Sequence, residues 1–175
     1  MKPTVDRPLH PSTTKSTVHA PGSGSREVWL PWHVVGRAAV KASAIDTEGR
    51  FSQIEFDDSR GTSPPLHVHH NGDESFYVIE GDIEVVCDGR RLAATSGDYV
   101  LIPRGQAHSY VVTSERARLL TTFAPAGVEE FFVTHGVPVV AGEPPPAPVE
   151  PNPDELAPIV ERYAFEIVGP PLTLP

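Results

Sequence analysis

The sequence predicts an all-β domain, a sandwich or barrel of short strands, framed by two proline-marked extensions. Between residues 26 and 140, short runs rich in β-branched and aromatic residues alternate with turn signals, and little reads as helix. Of the 20 prolines, 4 fall in residues 1–25 and 10 in residues 141–175, so the middle of the chain is comparatively free of them. A hydrophobic share of 39% in 175 residues is enough to build a core, and the length fits one domain.

Each element follows from local chemistry. Residues 1–25 carry Pro11-Ser12-Thr13-Thr14 and Gly22-Ser23-Gly24-Ser25 and few large apolar groups, so burial there does not offset the entropy of ordering. They are expected to form a flexible N-terminal arm. In residues 26–140 the expected strands are Phe51–Asp57, Glu74–Ile79, Ile83–Cys87, Tyr99–Ile102, Ala107–Val112 and Leu119–Phe123. Asp88-Gly89 between two such runs predicts a type I′ hairpin, which needs positive φ at both central residues. Gly81-Asp82, Ser96-Gly97-Asp98 and Pro103-Arg104-Gly105 mark further corners, and Val128–His135 is the one helical candidate inside the domain. In residues 141–175, Pro144-Pro145-Pro146 lies in a stiff connector. Asp154–Phe165 then reads as a short helix, with Leu156, Ile159, Val160 and Tyr163 at helical spacing. So short a helix must dock on the domain or on a second subunit.

Composition excludes several classes. The single cysteine, Cys87, rules out an internal disulfide and a cysteine-rich zinc site, and a buried inert thiol is its expected state. A net charge of −9 argues against a nucleic-acid partner. No apolar run has the length of a membrane span, and residues 1–25 lack the apolar segment of a secretion signal, so a cytoplasmic location without a membrane partner is expected.

The chemistry concentrates in histidines. His10 and His19 sit in the arm, His33 and His135 are isolated, and His70 should point away from its neighbour on an extended chain. His67 and His69 are two residues apart, so on a strand both rings leave the same face. Glu74 can return to that face after the turn-prone His70-Asn71-Gly72-Asp73, and His108 can join from a distant strand. Three neutral imidazoles and one carboxylate make a mixed nitrogen and oxygen site for a divalent first-row metal.

The spacing of these residues carries a family resemblance. Gly61, His67-Val68-His69, Glu74 and Gly81, followed after residues 82–96 by Gly97, Pro103-Arg104-Gly105 and His108, resemble the two motifs of the cupin superfamily. The second motif usually ends in asparagine four residues after its histidine, where this chain has Val112. The resemblance implies a double-stranded β-helix, or jelly-roll, over residues 26–140, with a metal inside held by His67, His69, Glu74 and His108. Glu74 through Gly81, Glu129-Glu130-Phe131-Phe132 and the proline-rich tail with Val168-Gly169-Pro170-Pro171 look like small single-domain cupins similar to bacterial quercetin dioxygenase.

That likeness implies a dioxygenase acting on a flavonol or another enolisable aromatic with dioxygen, using one divalent ion (nickel, cobalt, manganese, iron, copper or zinc). Glu74 would then be both ligand and catalytic base. By alternation, Phe76 and Val78 on one strand and Tyr110 and Val112 on another face inward, with Phe123 and one of Phe51 or Phe56 adding to the substrate wall. No inward lysine or arginine is evident, which suits a flat apolar ligand. The alternatives are a metal-dependent isomerase or cyclase of a keto or polyketide substrate, and a non-catalytic small-molecule-binding cupin. A homodimer is expected, since cupin barrels of this size commonly pair through outer sheet faces.

Overall fold

A computed structural model describes residues 14–31, 36–149, 163 and 165–175 of the chain. In chain order the strands are β1 (Arg26–Leu30), β2 (Gly36–Ala42), β3 (Ser52–Ser59), β4 (Pro65–His69), β5 (Asp73–Glu80) and β6 (Asp82–Cys87). They continue with β7 (Arg90–Thr95), β8 (Tyr99–Ile102), β9 (His108–Val112), β10 (Arg116–Ala124), β11 (Val137–Pro138) and β12 (Phe165–Pro171). A short helix α1 (Ala44–Thr47) follows β2, and α2 (Glu129–His135) follows β10.

The strands form two antiparallel sheets, a seven-stranded one in the order β11-β1-β2-β3-β10-β5-β8 and a five-stranded one in the order β12-β4-β9-β6-β7. Successive residues of each strand face opposite sides, so one face of each sheet supplies the shared interior. On β10, Ala117, Leu119, Thr121 and Phe123 are buried while Arg116 and Arg118 reach outward to Asp57 and Glu55. Ile54, Phe76, Ile83 and Leu119 are almost fully buried, and each such side chain contributes roughly 1.5–3 kcal/mol of hydrophobic stabilisation. The expected all-β jelly-roll is the fold observed. No helix among the described residues is long and apolar enough to cross a membrane.

All six strands named from the sequence are present. Tyr99–Ile102 keeps its expected ends, whereas the strand read as Phe51–Asp57 runs over Ser52–Ser59. The Asp88-Gly89 hairpin has φ of 49° and 73°, both positive as the type I′ turn requires. The helix expected at Val128–His135 is α2, with Val128 as its N-cap residue.

Other features depart from the sequence reading. β2 was not legible because Ala38, Ala39 and Val40 are all buried, so no alternation marks it. Residues 20–25 pack on the barrel: the Gly22 amide donates to Glu55 Oε1 at 3.0 Å, and the Ser25 amide donates to the Val40 carbonyl at 2.9 Å. The expected helix over 154–165 lies largely outside the described residues. Phe165 itself is a correction, since it opens β12 and does not end a helix. β12 pairs antiparallel with β4, and Pro170 and Pro171 are tolerated there because β12 is the edge of its sheet.

Candidate metal centre

Four side chains from three strands converge inside the barrel. His67 and His69 leave the same face of β4, and His108 enters from the neighbouring β9, where it stands directly opposite His67. Glu74 comes from β5 in the other sheet, so the cluster bridges the two layers. The potential ligand atoms of His67, His69, Glu74 and His108 all lie within 4.8 Å of one another.

Backbone latches hold this arrangement. The Gly105 amide donates to the His69 carbonyl at 2.8 Å, and the Arg104 amide donates to Asp73 Oδ1 at 2.9 Å. The corner that launches β9 is thereby tied to the ends of β4 and β5. Gly61, Gly81, Gly97 and Gly105, the four glycines of the spacing pattern, all adopt positive φ.

Hydrogen bonds also orient the rings. His67 Nδ1 lies 2.8 Å from the Pro65 carbonyl, and His108 Nδ1 lies 2.9 Å from the Gln106 carbonyl. A carbonyl only accepts, so Nδ1 carries the proton in both rings and turns Nε2 toward the cluster, as metal-binding histidines require. Glu74 Oε2 accepts from His108 Nε2 at 2.9 Å. His69 Nε2 is 3.0 Å from the same oxygen but off the line of a hydrogen bond, which leaves this buried nitrogen without a hydrogen-bond partner. An orphaned nitrogen beside two further inward-facing nitrogens and a carboxylate fits a divalent cation.

Electrostatics agree with that fit. Burial pulls the His67 imidazole down to about 4, with the neighbouring His108 adding to the effect, so His67 is neutral and able to ligate at neutral pH. Burial alone would raise the Glu74 carboxyl, but the His108 hydrogen bond and the adjacent His69 ring outweigh it and hold Glu74 well below the usual carboxylate range. Burial opposes the charged form of His108, yet its bond to Glu74 prevails and raises it above the ordinary imidazole value.

The cluster opens into a cavity. Leu30, Phe56, Phe76, Phe123, Phe131, Phe132, Phe165 and Ile167 line it together with Asp58, Thr62, Tyr110, His67, His69 and Glu74. No lysine or arginine is among the described lining residues. Of the residues expected on the wall, Phe76, Tyr110 and Phe123 are there. Val78 and Val112 are not: they are fully buried farther along the same strand faces, where core side chains fill the barrel. Phe56 is the wall residue of its pair, and Phe51 is partly exposed outside.

His70 is exposed and pairs with Glu166 on β12 at 3.1 Å, away from the cluster. Cys87 is buried, its thiol donates to Gln106 Oε1 at 3.0 Å, and burial pushes its pKa up. His10 and His33 lie outside the described residues. Sequence reasoning missed Asp58, the α2 phenylalanines and the β12 residues Phe165 and Ile167. Alternation from Phe56 would have reached Asp58 had the strand been carried beyond Asp57. The β12 contribution carried no signal, because pairing with β4 joins segments about 100 residues apart.

Comparisons with known proteins match this geometry. Residues 55–123 match the Cupin_2 family, described as a cupin domain. The chain is 35% identical over 109 residues to quercetin 2,3-dioxygenase of Bacillus subtilis (strain 168), a stretch covering 62% of this chain and 32% of that protein. It therefore spans about a third of that relative's length. It is 26% identical over 95 residues to the pectin degradation protein KdgF of Dickeya dadantii (strain 3937), covering 54% of this chain and 86% of that one. Among solved structures, a predicted oxalate decarboxylase from Thermotoga maritima superposes with a TM-score of 0.54 at 17% identity, covering 57% of this chain and 92% of that one, and so shares the fold. The ligand spacing and these likenesses agree that residues 55–123 match a cupin domain and that the chain resembles small quercetin dioxygenase-like cupins.

Proposed function

We propose that this protein is a metal-dependent cupin dioxygenase of flavonol-like or other enolisable aromatic compounds. The observation that carries the reading is a carboxyl, Glu74, set among three imidazoles beside a cavity lined by phenylalanines. A divalent cation held by His67, His69, Glu74 and His108 supplies Lewis acidity, which lowers the pKa of an enol hydroxyl.

The chain's own groups do the rest. Glu74 is the one carboxylate in the cluster, and as a residue lining the cavity it receives the enol proton. His108 Nε2 donates to Glu74 Oε2 and would give up that proton on ligating the cation. Phe76, Phe123, Phe131, Phe132 and Phe165 line the cavity with apolar rings that suit a planar ligand and keep water from the ionised enol. With no lysine or arginine among the described lining residues, the wall favours a neutral aromatic over a phosphate or sugar acid.

The test is oxygen consumption by metal-loaded protein supplied with quercetin and with simpler enols. Uptake that depends on both metal and enol supports the proposal, and bound metal without uptake for any enol overturns it. A second reading, a metal-dependent isomerase or cyclase, is favoured by one observation: another carboxyl, Asp58, lines the same cavity. Two carboxyls on one cavity suit a proton moved from one carbon to another, and product formation without oxygen loss would identify that chemistry.

A further inference from the structure

Asp58 is a buried carboxyl that the chemistry at Glu74 leaves unused. It stands on β3, is 2% exposed and lines the same cavity as Glu74 and the phenylalanines. Its Oδ2 accepts from the Tyr110 hydroxyl at 2.7 Å. Its Oδ1 lies against Gly36, where a Cβ would come within 2.2 Å, so only glycine at 36 leaves room for that oxygen. Among the described residues Asp58 has no ion-pair partner, and burial pushes its carboxyl up to about 7 although the Tyr110 hydrogen bond works the other way. A carboxyl placed so deep without a cation is costly, and the one hydroxyl donor it has among the described residues uses only part of its accepting capacity.

We infer that Asp58 anchors a hydroxyl group of an aromatic ligand, so that the cavity takes phenols in preference to arenes without a hydroxyl. The phenylalanine walls supply the contact for the ring, and Asp58 is the acceptor they lack. Tyr110 follows His108 by two residues on the same face of β9, which separates the two positions by about 7 Å along the strand. That spacing suits a ring system with one oxygen substituent at the metal cluster and a second at Asp58. The inference deepens the proposed function and rests on it only for the contact at Glu74.

Phenol and toluene, similar in shape, test it by calorimetric titration of the full chain, zinc-loaded and after chelation. Wild type is expected to bind phenol about tenfold tighter than toluene in both states, a ratio one buried hydrogen bond gives. Tyr110→Phe removes the neighbouring hydroxyl and keeps Asp58, so it should retain the preference. Asp58→Leu/Tyr110→Phe replaces the buried pair with apolar groups of similar shape, a change folds tolerate well, and should bind both probes alike. Loss of the preference in Tyr110→Phe alone, its persistence in the double variant, its disappearance on chelation, or equal or absent binding of the two probes by wild type would each overturn the inference. None of these readouts needs turnover, so failure of the dioxygenase reading would show separately, as bound metal without oxygen uptake.

Discussion

Replacing Asp58 with asparagine removes a titrating group while keeping the shape of the side chain and an oxygen to accept from Tyr110. In the folded protein, burial and then the nearby Asp57 charge raise the Asp58 carboxyl from its ordinary 3.8 to about 7, against the pull of the Tyr110 hydrogen bond. Between those two values the folded state holds a proton that the unfolded chain has released. The stabilisation is therefore complete below about pH 4 and drains away as pH rises to about 7. A difference of about three pKa units corresponds to about 4 kcal/mol. His67 works in the opposite direction over part of the same range, because its folded value of about 4 lies below the ordinary 6.5. Its contribution cancels when wild type and Asp58→Asn are compared under identical conditions. Urea unfolding of both chelated proteins at several values from pH 4 to pH 8 is the assay. Asp58→Asn should gain on wild type by about 4 kcal/mol across that window, with the gain levelling off above pH 7. A difference that stays flat within about 1 kcal/mol, or that grows toward acid, would refute the argument that burial keeps this carboxyl protonated.

Further outcomes follow from the same geometry. His67→Ala should abolish stoichiometric metal binding by elemental analysis while leaving the circular dichroism spectrum intact, since His67 is only partly buried and, among the described residues, hydrogen-bonds only the Pro65 carbonyl. Glu74→Gln should weaken metal less than His67→Ala does but reduce turnover by about 100-fold or more, the usual weight of a general base; full activity would remove Glu74 from that role. Metal affinity should fall about tenfold per pH unit once His108 is protonated, because a cation must displace the proton that Glu74 stabilises there; competition titrations at pH 8 and pH 6 check this. The expected homodimer has an outer face to use, where exposed Tyr77 and Tyr99 stand opposite each other beside Leu101. Light scattering should then give a dimer for wild type and a monomer for Leu101→Glu, and a monomeric wild type would end that expectation.

The metal cluster was legible because its information is local. His67-Val68-His69 fixes two rings on one face by alternation alone, and Gly61, Gly81, Gly97 and Gly105 mark corners that need positive φ. The cavity wall was only half legible. Alternation places Val78 and Val112 on the same inward faces as Phe76 and Tyr110, but it is silent on how deep along the strand the barrel interior closes. The rest of the wall comes from α2 and from β12, and their docking depends on long-range packing. Phe132 packs edge-on against Phe56 at 5.0 Å between centroids, and Phe165 meets the rings of His67, His69 and Phe131. Asp58 was missed for a different reason: Asp57-Asp58-Ser59-Arg60-Gly61 has the composition of a turn, and the strand carries on through it because Asp58 finds Tyr110 inside.

Two carboxyls thus share one cavity in opposite states. Glu74 is buried among imidazoles whose hydrogen bonding and charge favour the anion, whereas at Asp58 the Tyr110 hydroxyl is the one donor among the described residues and burial wins. The same physical cost, loss of water, is overcome at one residue and left standing at the other. Environments that separate two carboxyls in this way are the arrangement an acid and a base require within one pocket. Nothing in the packing of the barrel calls for an acid at position 58, since its neighbours on the inner face of β3, Ile54 and Phe56, are apolar. An apolar residue there, with phenylalanine at 110, would fill the same space without the desolvation. The polar pair destabilises the unliganded barrel at neutral pH, and a ligand that brings its own hydroxyl to Asp58 is the event that offsets it.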